Sequence, residues 1–449
     1  MKMTRDLTTG SVWKHILVLS VTTFLGIAIQ QIYSLADTVI VGKVLGADPL
    51  AGVGSTGSLY FMVVFFCIGI CYGCGIPVAR EFGAKDYKKM HRFVANSVWV
   101  CIFFCIIISV LTGIFCGPFL KWLNTPEEIF SYAEDYIRVI FIGLAFTFLY
   151  NLLASIIKSL GDAKTPLIAL VISSVLNIGL DFALMLWVPM GVVGAALATV
   201  ISQGVSGLFC LIMLIKKFDV MKMEKSEWKP EFKYMRSLSG YGIPMGLQYS
   251  ITAIGSLVLQ SAFNAFGAAA VTGMTVSNKV TLFLGCPLDG IGQIMAPYAG
   301  QNLGAGTYSR IKEGLFKATL LGFAWSVITV PVVLLAGRSF IGLFLTDPGE
   351  DVISYAMTCM ILVTSCNALL TIVDVFRFTI QGMGFTTFSM ISGVMEMIGR
   401  GICGLVLAPA IGYFGASMGG PVAWLLADCF LIPAFFLCYR KVKRREVKA

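Results

Sequence analysis

The chain has 449 residues, 57% of them hydrophobic and only 13% charged, with a net charge of +9. Soluble domains carry roughly 25% charged residues, so this composition excludes a soluble globular protein and points to an integral membrane protein. It excludes a β-barrel as well, because the apolar runs are each close to the roughly 20 residues that a helix needs to cross hydrocarbon, not short alternating segments.

Twelve membrane-spanning helices are predicted in chain order, at residues 14–42, 51–79, 93–117, 133–157, 166–188, 191–215, 237–265, 271–299, 314–336, 352–380, 386–408 and 415–438. No small-residue cleavage site follows the apolar start at Ile16, and a second span comes soon after, so the first run reads as helix 1 and not as a signal peptide. Lys and Arg gather on alternate loops: near Lys14, at Arg80 to Arg92, at Lys158 and Lys164, in the Lys216 to Arg236 cluster, at Arg310 to Lys317 and in the tail from Arg440. The opposite loops hold only Lys43, Lys121 and Arg338. Short cytoplasmic loops retain basic residues, so both termini are expected to be cytoplasmic and the positive charge is a topology signal more than a nucleic-acid patch.

The charged stretch at 216–236 divides the chain into an N-terminal lobe, 1–215, and a C-terminal lobe, 237–438, followed by a basic tail, 439–449. The second lobe repeats the first. At a constant offset of 221, Gly46-Ala47 meets Gly267-Ala268, Gly52 meets Gly273, Gly69-Ile70 meets Gly290-Ile291, and Gly83-Ala84 meets Gly304-Ala305; at about 223, Gly161 falls on Gly384. Six crossings return a chain to the side it started from. The expected fold is therefore all-α, two homologous six-helix bundles related by a pseudo-two-fold axis along the membrane normal. Glycines recurring inside helices suit close backbone packing, and Pro77, Pro244, Pro297, Pro331 and Pro433 are expected to kink their spans. The thirteen cysteines lie inside apolar spans and, with only His15 and His91 for histidines, offer no metal-ligand set; they read as packing.

Polar residues inside the spans fall on helix faces. In helix 1, Gln30, Tyr33 and Asp37 stand at i, i+3, i+7, and helix 5 repeats that spacing with Ser174, Asn177 and Asp181. Thr199 and Gln203 share a face of helix 6. In the second half Asn367, Thr371 and Asp374 line helix 10 with Arg377 one turn on, Glu396 and Arg400 are spaced for a structural ion pair, and Gln248, Gln260, Lys279, Asp289 and Asp428 are scattered over helices 7, 8 and 12. An ionised carboxylate at mid-bilayer costs on the order of 3 kcal/mol, so such stripes line a hydrated cavity or else serve as hydrogen-bond glue between helices. Asp374 has two readings, a functional acid or a partner for Arg377. No phosphate-binding loop occurs, and no histidine lies in the membrane interior to activate a nucleophile, which argues against an enzyme and leaves proton or cation binding at carboxylates.

The ordered set "YSLADTVIVGKVLGADPLAGVG", "FGAKD", "SLGDAKTP", "NIGLDFALM" and "GVVGAALATV" resembles the multidrug and toxic compound extrusion (MATE) family, in its bacterial, DinF-like branch, along essentially the whole chain. The resemblance implies a secondary antiporter of the bacterial inner membrane. It would export cationic amphipathic compounds in exchange for H+ or Na+ by alternating access, as a monomer and without a cofactor. It also implies a cation-coupling site at Asp37, Asn177, Asp181 and Thr199. Another branch of the family places a glutamate in helix 7 and an aspartate in helix 10; Asp374 matches the latter, but helix 7 has no acid here. Gln30, Tyr33, Gln203, Gln248, Gln260 and Asp374 remain candidates for a substrate cavity or a second-lobe site. The rival readings are a lipid-linked oligosaccharide flippase-like transporter, which would call for a cationic cavity, and a non-transporting receptor or scaffold, which would need no paired acid stripes.

Overall fold

The computed structural model describes residues 4–122, 125–345 and 348–446, and among these residues the chain is almost wholly helical, with no strand. The first half runs α1 (Val12–Leu45), a short α2 (Ala47–Ser55), α3 (Gly57–Gly83), α4 (Tyr87–Trp122), α5 (Glu127–Ile142), α6 (Leu144–Ser159), α7 (Lys164–Phe182), a π-helical turn (Ala183–Trp187) and α8 (Val192–Lys217). Two 3-10 turns, Asp219–Met221 and Lys225–Trp228, follow in the linker. The second half repeats the plan with α9 (Phe232–Asn264), α10 (Ala268–Gly304), α11 (Tyr308–Phe344), α12 (Glu350–Ser365), α13 (Asn367–Gly382), α14 (Thr386–Ile402), a π-helical turn (Cys403–Leu407), two short helices α15 (Ala408–Ile411) and α16 (Tyr413–Ser417), and α17 (Gly419–Glu446).

Among the described residues nine segments are long and apolar enough to cross a membrane as single runs, and the pairs α5–α6 and α12–α13 each make one bent span. The twelfth is α10, 37 residues long and more polar because it carries Lys279 and Asp289. The predicted spans differ from the observed ones in three ways. Span 2 breaks after Ser55, where the hydroxyls of Ser55 and Thr56 donate back to the Gly52 and Val53 carbonyls, each at 2.7 Å, in competition with the helix's own ladder. Spans 4 and 10 bend by 50° and 49° at Gly143 and Cys366. Spans 5 and 11 both end in a π-helical turn, a feature that concentrates near functional sites.

The bends and the π-helical turns are duplicated along with the helices, whereas the break in span 2 has no counterpart in the continuous α10. Gly161 and Gly384 both take a left-handed conformation, φ 84° and 87°, at equivalent turns. The chain folds as two compact units, one gathering residues up to Leu7 with Leu25–Ser250, the other Thr8–Phe24 with the residues from Ile251 onward. In the first unit the core is built on α3, where Cys67, Cys71 and Cys74 are fully buried among Ile70, Val78, Ile137 and Ile156. All thirteen cysteines are free thiols.

Lipid chains are as apolar as leucine, so helices in a membrane associate through close packing of small residues. Gly69 and Gly73 of α3 face Gly246 and Gly242 of α9 so tightly that a Cβ at Gly69 would lie 2.6 Å from the Gly246 Cα, and one at Gly73 2.5 Å from the Gly242 Cα. Both obstacles are backbone and cannot step aside. Gly73→Leu is expected to destabilise the first unit by about 1–3 kcal/mol or more, whereas Gly113→Ala in α4, where a Cβ meets nothing within 4 Å, is expected to be neutral or better. Thermal unfolding of the purified variants in detergent checks this, and equal midpoints for the two would rule out the packing argument.

Candidate functional site

Five helices of the first unit converge on one polar cluster. Asp181, in the last turn of α7 just before the π-helical turn, is fully buried, and one turn earlier Asn177 is 1% exposed. With the Asn177 amide oriented so that both its ends meet complementary groups, its nitrogen donates to Asp181 Oδ2 at 3.3 Å and its oxygen accepts from the backbone N–H of Thr199 in α8 at 3.2 Å. Thr199 therefore meets Asn177 through its main chain. Asp37, about seven turns into α1, lies within hydrogen-bonding reach of the Asp181 carboxyl. Two carboxylates repel each other at such a distance. The contact forms when one of them holds a proton, or when a cation sits between them.

Around this pair the electrostatic neighbours are Tyr33 of α1, Tyr60 of α3 and Tyr136 of α5. Neither Tyr60 nor Tyr136 is marked by a polar stripe in the sequence, since α3 and α5 each carry several aromatics and nothing in their spacing singles out these two. One oxygen each of Asp37 and Asp181 is buried with no hydrogen-bond partner, which leaves open acceptor positions inside the cluster. Two carboxyls, each with an open oxygen, make a hard oxygen donor pair suited to a proton or a monovalent cation. Among the described residues no group of three or more His, Cys, Asp or Glu is placed to hold a metal ion.

Other sequence candidates stand apart from this cluster. Gln30 shares the helical face of Asp37 yet is exposed, and Ser174 donates to the Leu170 carbonyl at 2.8 Å. Gln203 accepts from the Thr147 hydroxyl of α6 at 2.6 Å. Gln248 is 3% exposed in the part of α9 that belongs to the first unit, while Gln260 donates to Asn264 at 3.0 Å on the same helix.

The second unit holds an ionic network of its own. Arg377 of α13 donates to the Glu396 carboxylate of α14 and, through Nε, to Ser392 at 3.2 Å. Arg400 pairs with the other oxygen of Glu396 at 3.3 Å and donates to the Thr252 carbonyl at 3.0 Å. Arg377 is thus directed to helix α14, and Asp374 is left with a buried oxygen that has no partner. Asp289 of α10, Arg377 and Asp428 of α17 are its electrostatic neighbours, and both oxygens of Asp428 are also buried without a partner. With two arginines against Glu396, Asp289, Asp374 and Asp428, full ionisation would leave an excess of two negative charges. Burial on this scale demands compensation by protons or cations.

One enzyme-like pattern in the chain is explained by structure. Gly415-Ala416-Ser417-Met418-Gly419 fits the Gly-x-Ser-x-Gly spacing of a nucleophile elbow, but Ser417 is 3% exposed at the end of a helix and donates to the Tyr413 carbonyl at 2.9 Å. A nucleophile elbow needs a strand-to-helix turn and a histidine base. Neither of the chain's two histidines lies near it in sequence.

Comparison with known proteins places this architecture. The MatE family model matches residues 23–183 and 244–407, one match in each half. The chain is 26% identical over 344 residues to the "Probable multidrug resistance protein YoeA" of Bacillus subtilis, covering 75% of this chain and 74% of that one. It is 25% identical over 404 residues to the "Multidrug export protein MepA" of Staphylococcus haemolyticus, covering 90% and 85%. Among solved structures, an outward-facing conformation of a multidrug resistance MATE family transporter superposes with a TM-score of 0.90 over 99% of this chain and all of that one, at 22% identity. Duplicated six-span halves and a family match in each half agree: the chain is a multi-pass membrane protein that belongs to the MATE family of multidrug efflux transporters.

Proposed function

We propose that the chain is a secondary antiporter of the bacterial cytoplasmic membrane, with both termini cytoplasmic, that exports cationic amphipathic compounds in exchange for H+ or Na+. The observation that carries this reading is the contact between the Asp37 and Asp181 carboxyls. A buried acid pair that must take up a positive charge to stay in contact is a natural coupling element. When the pair is loaded, α1 and α7 are drawn together; when it is empty, mutual repulsion separates them. Alternating access follows if the drug favours the unloaded arrangement and the ion the loaded one. The Asn177 bridge between Asp181 and the α8 backbone transmits the change from α7 to α8.

The test is efflux of a cationic dye from reconstituted vesicles under separately imposed pH and Na+ gradients. Efflux that follows one gradient identifies the coupling ion. Efflux that follows neither, with the protein folded and dye still bound, excludes antiport and leaves the scaffold reading. The names of the relatives, multidrug resistance and multidrug export proteins, support export of more than one drug by this chain as well.

A further inference from the structure

The linker between the halves is fastened to the start of α4 along its length. Phe218 is 1% exposed, and Val220, Met221 and Met223 pack against the core of the first unit. Trp99 Nε1 donates to the Trp228 carbonyl at 3.1 Å, Asn96 Oδ1 accepts from the Glu231 N–H at 2.7 Å, and the rings of Phe93 and Tyr234 meet edge to face with centroids 4.9 Å apart. The level at which the linker crosses α4 follows from that helix. Trp99, Phe103, Ile106, Val110 and Ile114 recur at three- and four-residue intervals and are all exposed, so they form the face that a span turns to lipid chains. Trp99 ends this stripe, and Arg92 and Lys88, about two and three turns before it on the same face, are exposed and charged. Apolar, aromatic and basic residues in that order mark the passage from hydrocarbon to headgroups. The linker lies on it.

The linker's charges are sorted by what they meet. Its four acids are all engaged: Asp219 pairs with Lys222 at 2.8 Å, Glu231 pairs with Arg92 at 3.6 Å, and Glu224 and Glu227 close a capping box in which Glu227 Oε2 also lies 3.0 Å from His91 Nδ1. Lys225, Lys229 and Lys233 are exposed and, among the described residues, enter no ion pair. Interleaved with them are two exposed rings, Trp228 at 44% and Phe232 at 78%.

Unpaired ammonium groups and exposed aromatic rings at headgroup level suit a partner with a negative head and an apolar body. A free anion would satisfy the lysines and leave both rings uncovered; a zwitterionic lipid would cover the rings and leave the positive charge without an answer. We infer that the linker is a docking surface for an anionic phospholipid, its phosphate facing Lys225, Lys229 and Lys233 and its glycerol and first acyl carbons lying against Trp228 and Phe232. Lysine stems reach along apolar surface while their heads stay among phosphates, which lets one short segment serve both parts of the lipid. Because Trp228 and Glu231 are bonded to α4 and Phe232 opens α9, the lipid joins the loop between the halves to the bilayer surface. This does not rest on the antiport reading.

The full-length protein in non-ionic detergent, titrated with dioctanoyl phosphatidylglycerol, is expected to retain that lipid in native mass spectrometry at least about tenfold more strongly than dioctanoyl phosphatidylcholine. Lys225→Gln, Lys229→Gln and Lys233→Gln combined are expected to abolish the preference, and the same three positions changed to Arg to keep it. These side chains are exposed and unpaired, so the unfolding midpoint without lipid should not move. Lys441→Gln, Lys443→Gln and Arg444→Gln combined remove the same charge from α17 and are expected to leave the preference intact. Phe232→Ser is expected to weaken retention of both lipids. Equal retention of the two lipids by the unmodified protein overturns the proposal. So does a loss in the α17 variant as large as in the linker variant, since binding would then follow net charge alone. Displacement of the phosphatidylglycerol by an equal concentration of inorganic phosphate overturns it as well, by making a free anion the occupant.

Discussion

Asp37→Asn and Asp181→Asn are each expected to reduce ion-driven efflux in proteoliposomes to the passive leak, and the double variant is expected to be no worse than either. The reason is that the functional unit is the pair. In the proposed scheme the two neighbouring carboxyls share a proton or a cation, and one oxygen of each is buried with no hydrogen-bond partner. Either substitution removes one of the two charges and leaves a lone acid hydrogen-bonded to an amide, which has no reason to come apart when the ion leaves. Groups that act as one unit lose everything with the first removal, so the effects are grossly non-additive. Dye binding measured in detergent should survive, because no substrate contact has been removed. Retention of gradient-driven efflux in Asp37→Asn would falsify the coupling scheme; additive partial losses would point to two independent sites instead.

The same pair bears on stoichiometry. One proton exchanged for one monovalent drug moves no net charge, so a membrane potential of about 100 mV, worth about 2.3 kcal/mol per charge, does no work on the cycle. A second ion changes that. In such a scheme the excess of buried acids in the second unit would be the location for the additional positive charge. Imposing a potential at zero pH and Na+ gradient separates the cases, since only an electrogenic cycle responds.

Much of this was readable in the sequence because the membrane simplifies the problem. Length of apolar run fixes the spans, and an offset of 221 exposes the repeat. Helical spacing also aligned Tyr33 with Asp37 and Asn177 with Asp181, because all four lie on long helices with a regular period. What spacing cannot show is which faces meet. Gln30 has the right phase on α1 and ends exposed, whereas Tyr60 and Tyr136 arrive from α3 and α5 without any local signature. The bends at Gly143 and Cys366 and the π-helical turns after Phe182 and Ile402 were equally hidden, each being a one-residue departure from a regular ladder. Asp374 and Arg377 sit one turn apart on α13, a spacing compatible with an ion pair, yet Glu396 of α14 takes the arginine. A tertiary partner already fixed by Arg400 and Ser392 outcompetes a local one.

That network should produce the largest loss of stability in the molecule. Glu396, 3% exposed, is the direct anionic partner of two guanidinium groups. Removing one partner of a buried ion pair costs about 3–5 kcal/mol, because the remaining charge stays in a medium that cannot solvate it. Glu396→Ala leaves two such charges, which keep their bonds to Ser392 and the Thr252 carbonyl but lose their anion. Arg377→Met is milder, since Glu396 keeps Arg400 and the new side chain fills similar volume with apolar atoms. The expected order of unfolding midpoints in detergent is therefore unmodified protein, then Arg377→Met, then Glu396→Ala. Combining the two substitutions should recover part of the loss, since the second removes one of the charges that the first stranded. If Glu396→Ala unfolds within about 1 kcal/mol of the unmodified protein, Asp374 and Asp428 must be supplying the missing negative charge. The acids of the second unit would then be partners of Arg377 and not a reserve for protons.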